Sequence, residues 1–380
     1  MVKQTGLILI MTSAFLAPWV QAGFGNGFDT TWTLKNLTLG SRSLINDNPY
    51  VSNVTRIRLE PQYRQQNWSF QAAYDLEFLS GSFLDSPEFA LLKQARDPRY
   101  WALQNKLDES GELVIRHQLY RGTLQWRSPV GDFRLGRQQI NWATTLIWNP
   151  MDILNPVSPL QLEPDERIGV DALLWDKSWG ALGRISAVYA PQHNTNESSG
   201  ALRIKRFIGG IDASVMAGEF ADVTKVGVSG SGSVAGTGWR TEMVWSDREE
   251  AVAYWQAVAN LNWSLRNGVN LALEYYYNGK TVQPRTLEVS RLTSGEPHDA
   301  GRHYTGVLVS QDINPLWDYR VVVIRNADDA SWVLYPRSTW TLPMTQEVYL
   351  TAGAQWFGGD NDGEFGKLEP LALLELQWFF

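Results

Sequence analysis

Apolar and polar residues alternate with a period of two along most of the chain, which is the pattern of β-strands with one apolar and one polar face. Within residues 67–79, for example, Trp68 and Tyr74 share one parity, whereas Asp75 and Glu77 share the other. Helical periodicity is nearly absent. The pattern therefore predicts an all-β protein whose strands each separate an apolar environment from an aqueous one.

Eighteen segments of this kind can be delimited between turn signals, with sixteen or fourteen strands as alternatives. They are residues 31–43, 51–65, 67–79, 112–127, 131–142, 166–177, 180–190, 200–207, 210–218, 222–230, 236–247, 251–264, 267–278, 301–311, 315–326, 329–341, 344–356 and 369–380. Tight turns follow the even-numbered segments. The long connections, residues 80–111, 143–165, 279–300 and 357–368, follow odd-numbered segments. Short turns at one rim and long loops at the other predict a transmembrane antiparallel β-barrel with both termini in the periplasm.

The first residues have the composition of a secretory signal peptide. Lys3 precedes the largely apolar residues 6–20, and residues 20–22 have small side chains at the positions that a signal peptidase reads. An N-terminal membrane anchor is the alternative, but the apolar stretch is short for a spanning helix and contains a proline. The sequence thus predicts a cleaved signal peptide at 1–22 and a single barrel domain at 23–380.

The last residues alternate up to a terminal aromatic residue. Leu374, Leu376, Trp378 and Phe380 share one parity, and the chain ends on the last of them. This segment resembles the closing strand of Gram-negative outer-membrane barrels, in which the terminal aromatic residue is recognised by the barrel-assembly machinery. The resemblance implies that Trp378 and Phe380 form the assembly signal, and that the protein lies in the outer membrane with lipid around it.

Composition removes several function classes. The chain contains 18 tryptophans and 14 tyrosines, whose amphipathic rings concentrate at membrane interfaces. The chain contains no cysteine, which excludes disulfides and thiolate metal sites. The net charge of -7, without a run of basic residues, disfavours a nucleic-acid partner.

Motifs for catalysis are also missing. The four histidines, His117, His193, His298 and His303, have no metal-ligand spacing, and neither a Gly-x-Ser-x-Gly elbow nor a phosphate-binding loop occurs. His303 with Ser310 is a loose candidate for a lipase pair, for which rim residues are the simpler interpretation. We therefore expect no enzyme activity, no metal and no cofactor.

A second resemblance lies in the middle of the chain. Residues 136–142 read Gly-Arg-Gln-Gln-Ile-Asn-Trp, and residues 148–159 contain two Asn-Pro steps and an Asp. The run resembles a motif of porin-like outer-membrane barrels, including the alginate-export-like families, although Ala143 stands where those families often have Gly. In general porins the third long loop folds into the lumen, and residues 143–165 follow the fifth segment, which makes them the third connection on the long-loop rim. The resemblance implies that this loop sets a constriction.

A barrel of sixteen to eighteen strands leaves an aqueous lumen, so the polar parities should face water. Arginines occupy inward positions, and the loop 143–165 is acidic. We hypothesise that the loop folds inward and opposes the two sets across the pore: Arg56, Arg58, Arg121 and Arg134 on the wall, and Asp152, Glu163 and Asp165 on the loop. The alternative is a loop packed on the rim, with the arginines solvating the wall. Opposed charges would orient dipolar solutes and exclude apolar ones.

The leading functional interpretation is a channel for passive or substrate-selective diffusion of small hydrophilic solutes. A dedicated exporter of a polymer such as a polysaccharide would instead show a continuous basic track, and a closed barrel would have a structural role. The sequence leaves the solute and the ion selectivity open, and it leaves a monomer and a homo-oligomer as alternatives.

Overall fold

The structure is a computed structural model that describes residues 27–93, 99–163, 166–167, 169–248, 252–280, 301–343 and 347–380. The predicted signal peptide at 1–22, and also Asp165 and His298, lie outside the described residues. No helix in the described part of the chain is long and apolar enough to cross a membrane.

The described residues form nineteen strands and one short α-helix, α1 (Pro87–Leu92). The strands are β1 (Phe28–Arg42), β2 (Pro49–Gln65), β3 (Trp68–Ser80), β4 (Gln104–Glu109), β5 (Leu113–Ser128), β6 (Gly131–Gln138), β7 (Val170–Ser178), β8 (Gly183–Ala190), β9 (Ser199–Ile208), β10 (Ile211–Phe220), β11 (Val223–Val234), β12 (Thr237–Arg248), β13 (Tyr254–Ser264), β14 (Asn270–Asn278), β15 (His303–Asn314), β16 (Trp317–Asn326), β17 (Trp332–Thr341), β18 (Val348–Gly358) and β19 (Leu371–Phe379).

Eighteen of these strands close into one antiparallel barrel. Neighbours in sequence pair with each other, except that β4 lies in the connection 81–112 and β3 pairs directly with β5. Closure is made by β1 and β19, from Thr33 opposite Phe379 to Gly40 opposite Ala372. A closed sheet leaves no edge, which hydrocarbon requires because backbone groups there cannot bond to water. The predicted eighteen-strand barrel is confirmed.

The two faces of the wall have the reverse of the polarity of a soluble protein. Asp75 and Glu77 of β3 are 0% exposed inside the barrel, whereas Trp68 and Tyr74 of the same strand are 48% and 41% exposed outside. Other strands repeat this arrangement with exposed outer side chains such as Leu124, Leu135, Leu173, Leu202, Val215, Val226, Leu261, Leu273, Val323 and Leu374. Such a continuous apolar outer surface suits a bilayer and not water.

Stacked aromatic rings mark the short-turn rim of this outer surface. Trp126 stacks on Trp68 and on Phe133, with ring centroids 5.6 and 5.4 Å apart, and Trp317 stacks on Trp340 at 6.5 Å. All five residues lie within a few positions of a tight turn between strands. Their amphipathic rings suit the level of the lipid headgroups.

The connection between β6 and β7, residues 139–169, begins earlier and ends later than predicted. The ladder between the two strands ends at Gln138 opposite Val170, and not at residues 142 and 166. Ile140 then donates its backbone N–H to Oδ1 of Asn155, at 2.8 Å, and makes no ladder bond to β7. Polar and apolar residues still alternate up to Trp142, so the sequence pattern outlasts the pairing. We call residues 139–169 the β6–β7 loop.

Candidate functional site

The β6–β7 loop runs inside the barrel, where a wall carboxylate on β12 holds its first half. Glu242 accepts the backbone N–H groups of Thr144, of Thr145 at 2.9 Å and of Met151 at 2.9 Å. Its side chain is fully buried. Each of these hydrogen bonds has a charged acceptor, which makes it stronger than a bond between neutral groups.

A second wall carboxylate, on β14, holds the next three residues in the same manner. Glu274 accepts the backbone N–H groups of Leu146 at 3.1 Å, Ile147 at 3.0 Å and Trp148 at 2.7 Å. It also accepts a hydrogen bond from the Asn260 amide at 3.2 Å. The two glutamates therefore satisfy six backbone groups of a segment that has no sheet partner.

Apolar contacts press the same segment against the wall. The Trp148 ring packs on Tyr276 and Tyr304, with centroids 5.4 and 5.8 Å away. At Gly306 on β15 the wall has no side chain, and a Cβ there would lie 2.6 Å from Ile147 Cδ1 and 2.8 Å from the Trp148 ring. The absence of a side chain at Gly306 therefore leaves the space that Ile147 and Trp148 occupy.

The second half of the loop makes an ionic contact with β1 and β2. Lys35 Nζ lies 2.8 Å from Glu163 Oε1 and 3.8 Å from Glu166 Oε1. Arg56 Nη1 lies 3.3 Å from Glu163 and 3.8 Å from Glu166. Arg58 forms a two-pronged pair with Glu166, at 3.2 and 2.9 Å. The loop carboxylates and the wall cations therefore meet directly.

Two carboxylates on β3 bind these β2 arginines from the wall side. Arg58 donates to both oxygens of Asp75 at 2.6 and 2.9 Å, and Arg56 donates to Glu77 at 2.8 Å. Arg116 of β5 reaches the other oxygen of Glu77 at 2.5 Å. Asp75 and Glu77 are fully buried, and their hydrogen bonds hold the two β2 guanidinium groups beside the loop carboxylates.

Strands β17 to β19 hold the remaining side of the loop. Arg337 donates to the Leu162 carbonyl at 3.2 Å, and Gln355 donates to the Leu160 carbonyl at 2.9 Å. Glu375 pairs with Lys35 at 3.3 Å and with Arg337 at 3.5 Å. The loop is therefore bound to wall strands on several sides of the lumen.

These pairs join into one set, which we call the ionic network. It contains five cations and five carboxylates: Lys35, Arg56, Arg58, Arg116 and Arg337, with Asp75, Glu77, Glu163, Glu166 and Glu375. Its formal charges cancel. Burial raises the pKa of Glu166, but Arg58, Arg56 and Lys35 lower it more, so its pKa lies below the usual range.

Arg121 lies beside the network. The sequence-based hypothesis placed it opposite loop carboxylates, but its partner on the loop is the backbone carbonyl of Arg167. Its guanidinium donates to Oε1 of Gln139 at 2.9 Å and to the backbone oxygen of Arg167 at 3.0 Å. The Tyr120 ring lies under the guanidinium groups of Arg58 and Arg121, 4.0 and 5.0 Å from its centroid. Arg121 thus lies beside the balanced network, where the Glu60 carboxylate is within electrostatic range of both Arg58 and Arg121.

Asp152 and Arg134 lie away from the opposition that the sequence suggested. Asp152 pairs with Arg167 of the same loop at 2.6 Å, and its side chain is fully buried. Arg134 pairs with Asp176 of the neighbouring strand at 2.9 Å. Burial raises the pKa of Asp152 to about 7 against the opposing effect of Arg167. Of the proposed opposed pairs in the described residues, Arg56 with Glu163 is the one in direct contact.

The Gly-Arg-Gln segment ties the loop entrance to the wall. Arg137 forms a fully buried pair with Asp171 at 2.9 Å, and it donates to the carbonyls of Leu119, at 2.9 Å, and of Trp101. Asp171 Oδ2 also accepts the Trp101 backbone N–H at 2.8 Å. One ion pair therefore joins β6, β7, β5 and the connection 81–112.

His117 and His303 take part in aromatic contacts. Tyr74 OH lies 2.8 Å from His117 Nδ1, and Tyr275 OH lies 2.7 Å from His303 Nδ1. Ser310 and His303 are seven positions apart on β15, so they point to opposite faces and lie about 23 Å apart. Among the described residues, no group of three His, Asp or Glu could hold a metal ion.

Sequence reasoning missed four members of this site. Lys35 is the one basic residue of its parity in β1, among Thr and Leu residues and Asp29, and Glu166 lies just outside the predicted loop boundary. Glu242 and Glu274 are inward carboxylates whose neighbours on the wall include Val244, Val258 and Tyr276. For Glu274 the available signal was an inward carboxylate with no basic residue in its strand, because such a group needs donors from elsewhere, whereas Arg240 precedes Glu242 by two positions on the same face of β12.

No protein-family model and no curated protein sequence matches the chain. Solved structures do. OprD of Pseudomonas aeruginosa matches with a TM-score of 0.58 over 94% of this chain and 95% of that chain, at 9% sequence identity. OccK5 (OpdH) of Pseudomonas aeruginosa gives 0.61 over 94% and 99%, at 8% identity. OpdK of the same organism, solved with vanillate, gives 0.57 over 93% and 98%, at 8% identity.

This is the fold of the outer-membrane porins. The match covers nearly the whole chain and the whole of each neighbour, so the strand number and the closure belong to one shared architecture. The predicted resemblance to porin-like barrels of the Gram-negative outer membrane is confirmed at the level of the fold.

Proposed function

We propose that the protein is an outer-membrane channel through which small hydrophilic solutes diffuse, and that the β6–β7 loop sets its selectivity. The observation that carries the proposal is the contact between the loop carboxylates Glu163 and Glu166 and the wall cations Lys35, Arg56 and Arg58. An apolar outer face and a polar inner wall support a water-filled path.

The arginines at the loop contact can bind a carboxylate group of a solute. The ionic network is balanced, and beside it Arg121, whose hydrogen-bond partners are neutral oxygen atoms, lies within electrostatic range of the Glu60 carboxylate. A solute that carries a carboxylate can exchange contacts with Arg58 and Arg121, which both lie close to the Tyr120 ring. OpdK was solved with vanillate, which is a carboxylate, and we extend that solute class to this chain.

A dedicated polymer exporter is less well supported. Such a channel would offer a continuous basic track, whereas buried carboxylates interrupt this lumen at Asp75, Glu77, Glu242 and Glu274. A neutral or acidic interruption raises the electrostatic barrier for a polyanion at every repeat unit.

Single-channel recording of the refolded protein in a planar bilayer, under a salt gradient, tests the proposal. We expect stable open steps and a small reversal potential, because the charges at the loop contact balance. Replacing Arg56→Ala and Arg58→Ala together should move the reversal potential towards cations by leaving Asp75 and Glu77 less compensated. Arg206→Gln is the matched control, because Arg206 lies over the Trp179 ring, 4.8 Å from its centroid, in β9 and outside the ionic network.

A folded barrel without open steps would contradict the channel and favour a closed barrel. Unaltered conductance and selectivity in the double variant would contradict the role of the arginines and leave the channel intact. We also propose contact of the outer face with lipid, and recognition of Trp378 and Phe380 by the barrel-assembly machinery; their rings lie 4.9 Å apart.

A further inference from the structure

The connection between β18 and β19 changes abruptly from exposed to buried residues. We call residues 359–370 the β18–β19 loop. Its residues 360–362 are exposed, whereas Glu364 and Phe365 are 1% and 3% exposed. A loop that belongs to the long-loop rim therefore turns a charged and an aromatic side chain away from solvent.

Wall side chains of β15 and β16, and the turn that follows β16, hold this buried part of the loop. Glu364 Oε2 accepts a hydrogen bond from the Tyr304 hydroxyl at 2.6 Å and from the Asn326 amide at 2.8 Å. The backbone N–H of Glu364 donates to Asp329 Oδ2 at 2.7 Å. Hydrogen bonds to a carboxylate are stronger than those between neutral groups, so the β18–β19 loop is fixed to the wall at Glu364.

The same part of the loop shares an apolar cluster with the tip of the β6–β7 loop. Phe365 belongs to one buried cluster with Ile147 and Trp148. Leu160 of the β6–β7 loop and Leu368 of the β18–β19 loop pack against this cluster. Two loops that leave the wall at different strands therefore meet over one apolar surface inside the barrel.

Tyr304 of β15 contacts both loops. Its ring packs against the Trp148 ring, with centroids 5.8 Å apart, and its hydroxyl donates to Glu364. The side chain is 1% exposed. A displacement of Glu364 therefore also displaces the ring on which Trp148 packs.

We propose that the β18–β19 loop positions the tip of the β6–β7 loop from the long-loop rim, with Glu364 and Phe365 as positioning residues that act on Trp148, Glu364 through Tyr304. The inference rests on the proposed channel function, in which the β6–β7 loop sets the selectivity. It gives a second loop, outside the ionic network, a part in setting the constriction. Because residues 360–362 are exposed and directly precede the buried part, a change at the outer surface can reach the constriction.

Cysteine labelling measures the exposure of the loop tip, because the chain contains no cysteine of its own. Asn149→Cys introduces one thiol at a half-buried position next to Trp148, and a gel shift follows its reaction with maleimide-polyethylene glycol in the refolded full-length protein. We expect Phe365→Ala in this background to raise the labelling rate at least about threefold, because the missing ring leaves the tip less restrained. Tyr304→Phe keeps the ring on Trp148 and removes the hydroxyl that binds Glu364, so it should produce part of that rise.

Phe89→Ala is the matched control for the loss of a buried ring. Phe89 lies in α1, in another connection of the long-loop rim, and its buried cluster with Leu79 and Val114 contains no residue of the β6–β7 loop among those described. Both Phe→Ala changes should lower the stability in urea, but only Phe365→Ala should raise the labelling rate. Phe365→Leu keeps an apolar side chain and should restore most of the original rate. In single-channel recordings, Phe365→Ala should also close and reopen more often than Phe89→Ala.

Equal labelling rates in Phe365→Ala and Phe89→Ala would overturn the inference, because the effect would then follow stability alone. An unaltered rate in Tyr304→Phe, beside a raised rate in Phe365→Ala, would overturn the route through Tyr304. If Phe365→Ala lacks the heat-modifiable migration of a folded barrel, Tyr304→Phe decides alone.

The two readouts also separate this inference from the proposed channel. Open steps in the unaltered protein, with the same labelling rate in every variant, would leave the channel standing and end the inference. A raised rate in Phe365→Ala and Tyr304→Phe, without open steps in the unaltered protein, would contradict the channel and support the positioning of the loop tip.

Discussion

The buried carboxylates of the lumen differ in what they bind. Asp75 and Glu77 bind guanidinium groups, whereas Glu242 and Glu274 bind backbone N–H groups of the β6–β7 loop. The buried donors of Thr145, Ile147 and Trp148 lose this acceptor when the carboxylate is removed, and an unsatisfied buried donor costs about 1–3 kcal/mol. The anchoring glutamates therefore control the loop position more directly than the ion pairs do.

Replacing Glu274→Gln should loosen the loop while the barrel stays closed. The amide keeps one acceptor oxygen for Ile147 and Trp148, but its NH₂ group opposes the Leu146 N–H. We expect the free energy of unfolding in urea to fall by about 2 kcal/mol. We also expect single-channel recordings to show higher or flickering conductance.

The matched control for this change is Glu219→Gln, at an exposed position at the end of β10. It makes the same chemical change without a loop contact and should leave both readouts unaltered. A Glu274→Gln barrel with unaltered stability and conductance would contradict the anchoring role of the carboxylate.

The raised pKa of Asp152 predicts a pH-dependent stability of definite sign. Burial raises this pKa to about 7, whereas an unfolded aspartate titrates near pH 4, with a pKa of about 3.9. The protonated form is therefore favoured by folding, so the contribution is complete below about pH 4 and is lost as pH rises to about 7. The free energy of unfolding should fall over this window relative to that of an Asp152→Asn variant.

Urea unfolding of both proteins at several pH values measures that difference. An Arg167→Gln variant is informative, because Arg167 lowers the pKa of Asp152 and its removal should move the inflection to higher pH. Parallel curves for the unaltered protein and Asp152→Asn would show that this carboxyl does not titrate between the two pH values.

At the scale of elements, the β6–β7 loop differs from the strands that it connects. The strands are stabilised by ladders to both neighbours, whereas this loop is held by side chains of distant strands and by its own apolar residues. Ile147 and Trp148 are 6% and 3% exposed, and Met151 is fully buried. A Cβ at Gly227 on β11 would lie 2.3 Å from the Met151 sulfur, so two wall glycines make room for the loop.

Filling one of these spaces should displace the loop while every charge is kept. A leucine at Gly306 would overlap Ile147 and Trp148, whose atoms lie 2.6 and 2.8 Å from the position of its Cβ. We therefore expect the Gly306→Leu barrel to conduct more than the unaltered one in single-channel recordings, with its ion selectivity reduced. Gly40→Leu is the control, because a Cβ at Gly40 meets nothing within 4 Å.

Equal conductance in both glycine variants would mean that the loop tip does not limit the passage of ions. A Gly306→Leu chain that fails to show heat-modifiable migration would place the loop contact among the requirements for folding.

The sequence predicted the strands well and the loop contacts poorly, for a physical reason. A strand in this wall has hydrocarbon on one side and the lumen on the other, so its outer positions are apolar and its charged residues mark the inner face. Pairing inside the lumen depends on the path of residues 139–169, which alternation does not encode. Glu163 pairs with Arg56 as hypothesised, whereas Asp152 pairs with Arg167 of the same loop.

At the scale of the whole molecule, the barrel is closed by its two terminal strands. Trp32 and Phe380 exchange two backbone hydrogen bonds, at 2.8 and 3.0 Å, so the last residue of the chain completes the β1–β19 seam. The Phe380 ring lies on Trp378, at 4.9 Å between centroids. The backbone of this residue therefore contributes to closure, and its ring is the part to which we assign the proposed recognition by the barrel-assembly machinery.

Replacing Phe380→Ala separates these contributions. The alanine keeps both backbone bonds to Trp32, so the purified chain should refold in detergent with urea stability within about 1 kcal/mol of the original. If the terminal ring is the signal for the assembly machinery, the same variant should reach the outer membrane several-fold less well in cells, measured by heat-modifiable migration of the membrane fraction. Phe379→Ala is the matched control. The Phe379 ring packs on Tyr349, with centroids 5.9 Å apart, and lies on the opposite face of the strand from the Phe380 ring. A comparable loss in both variants would assign the effect to the stability of the seam, whereas normal assembly of Phe380→Ala would contradict recognition of the terminal ring.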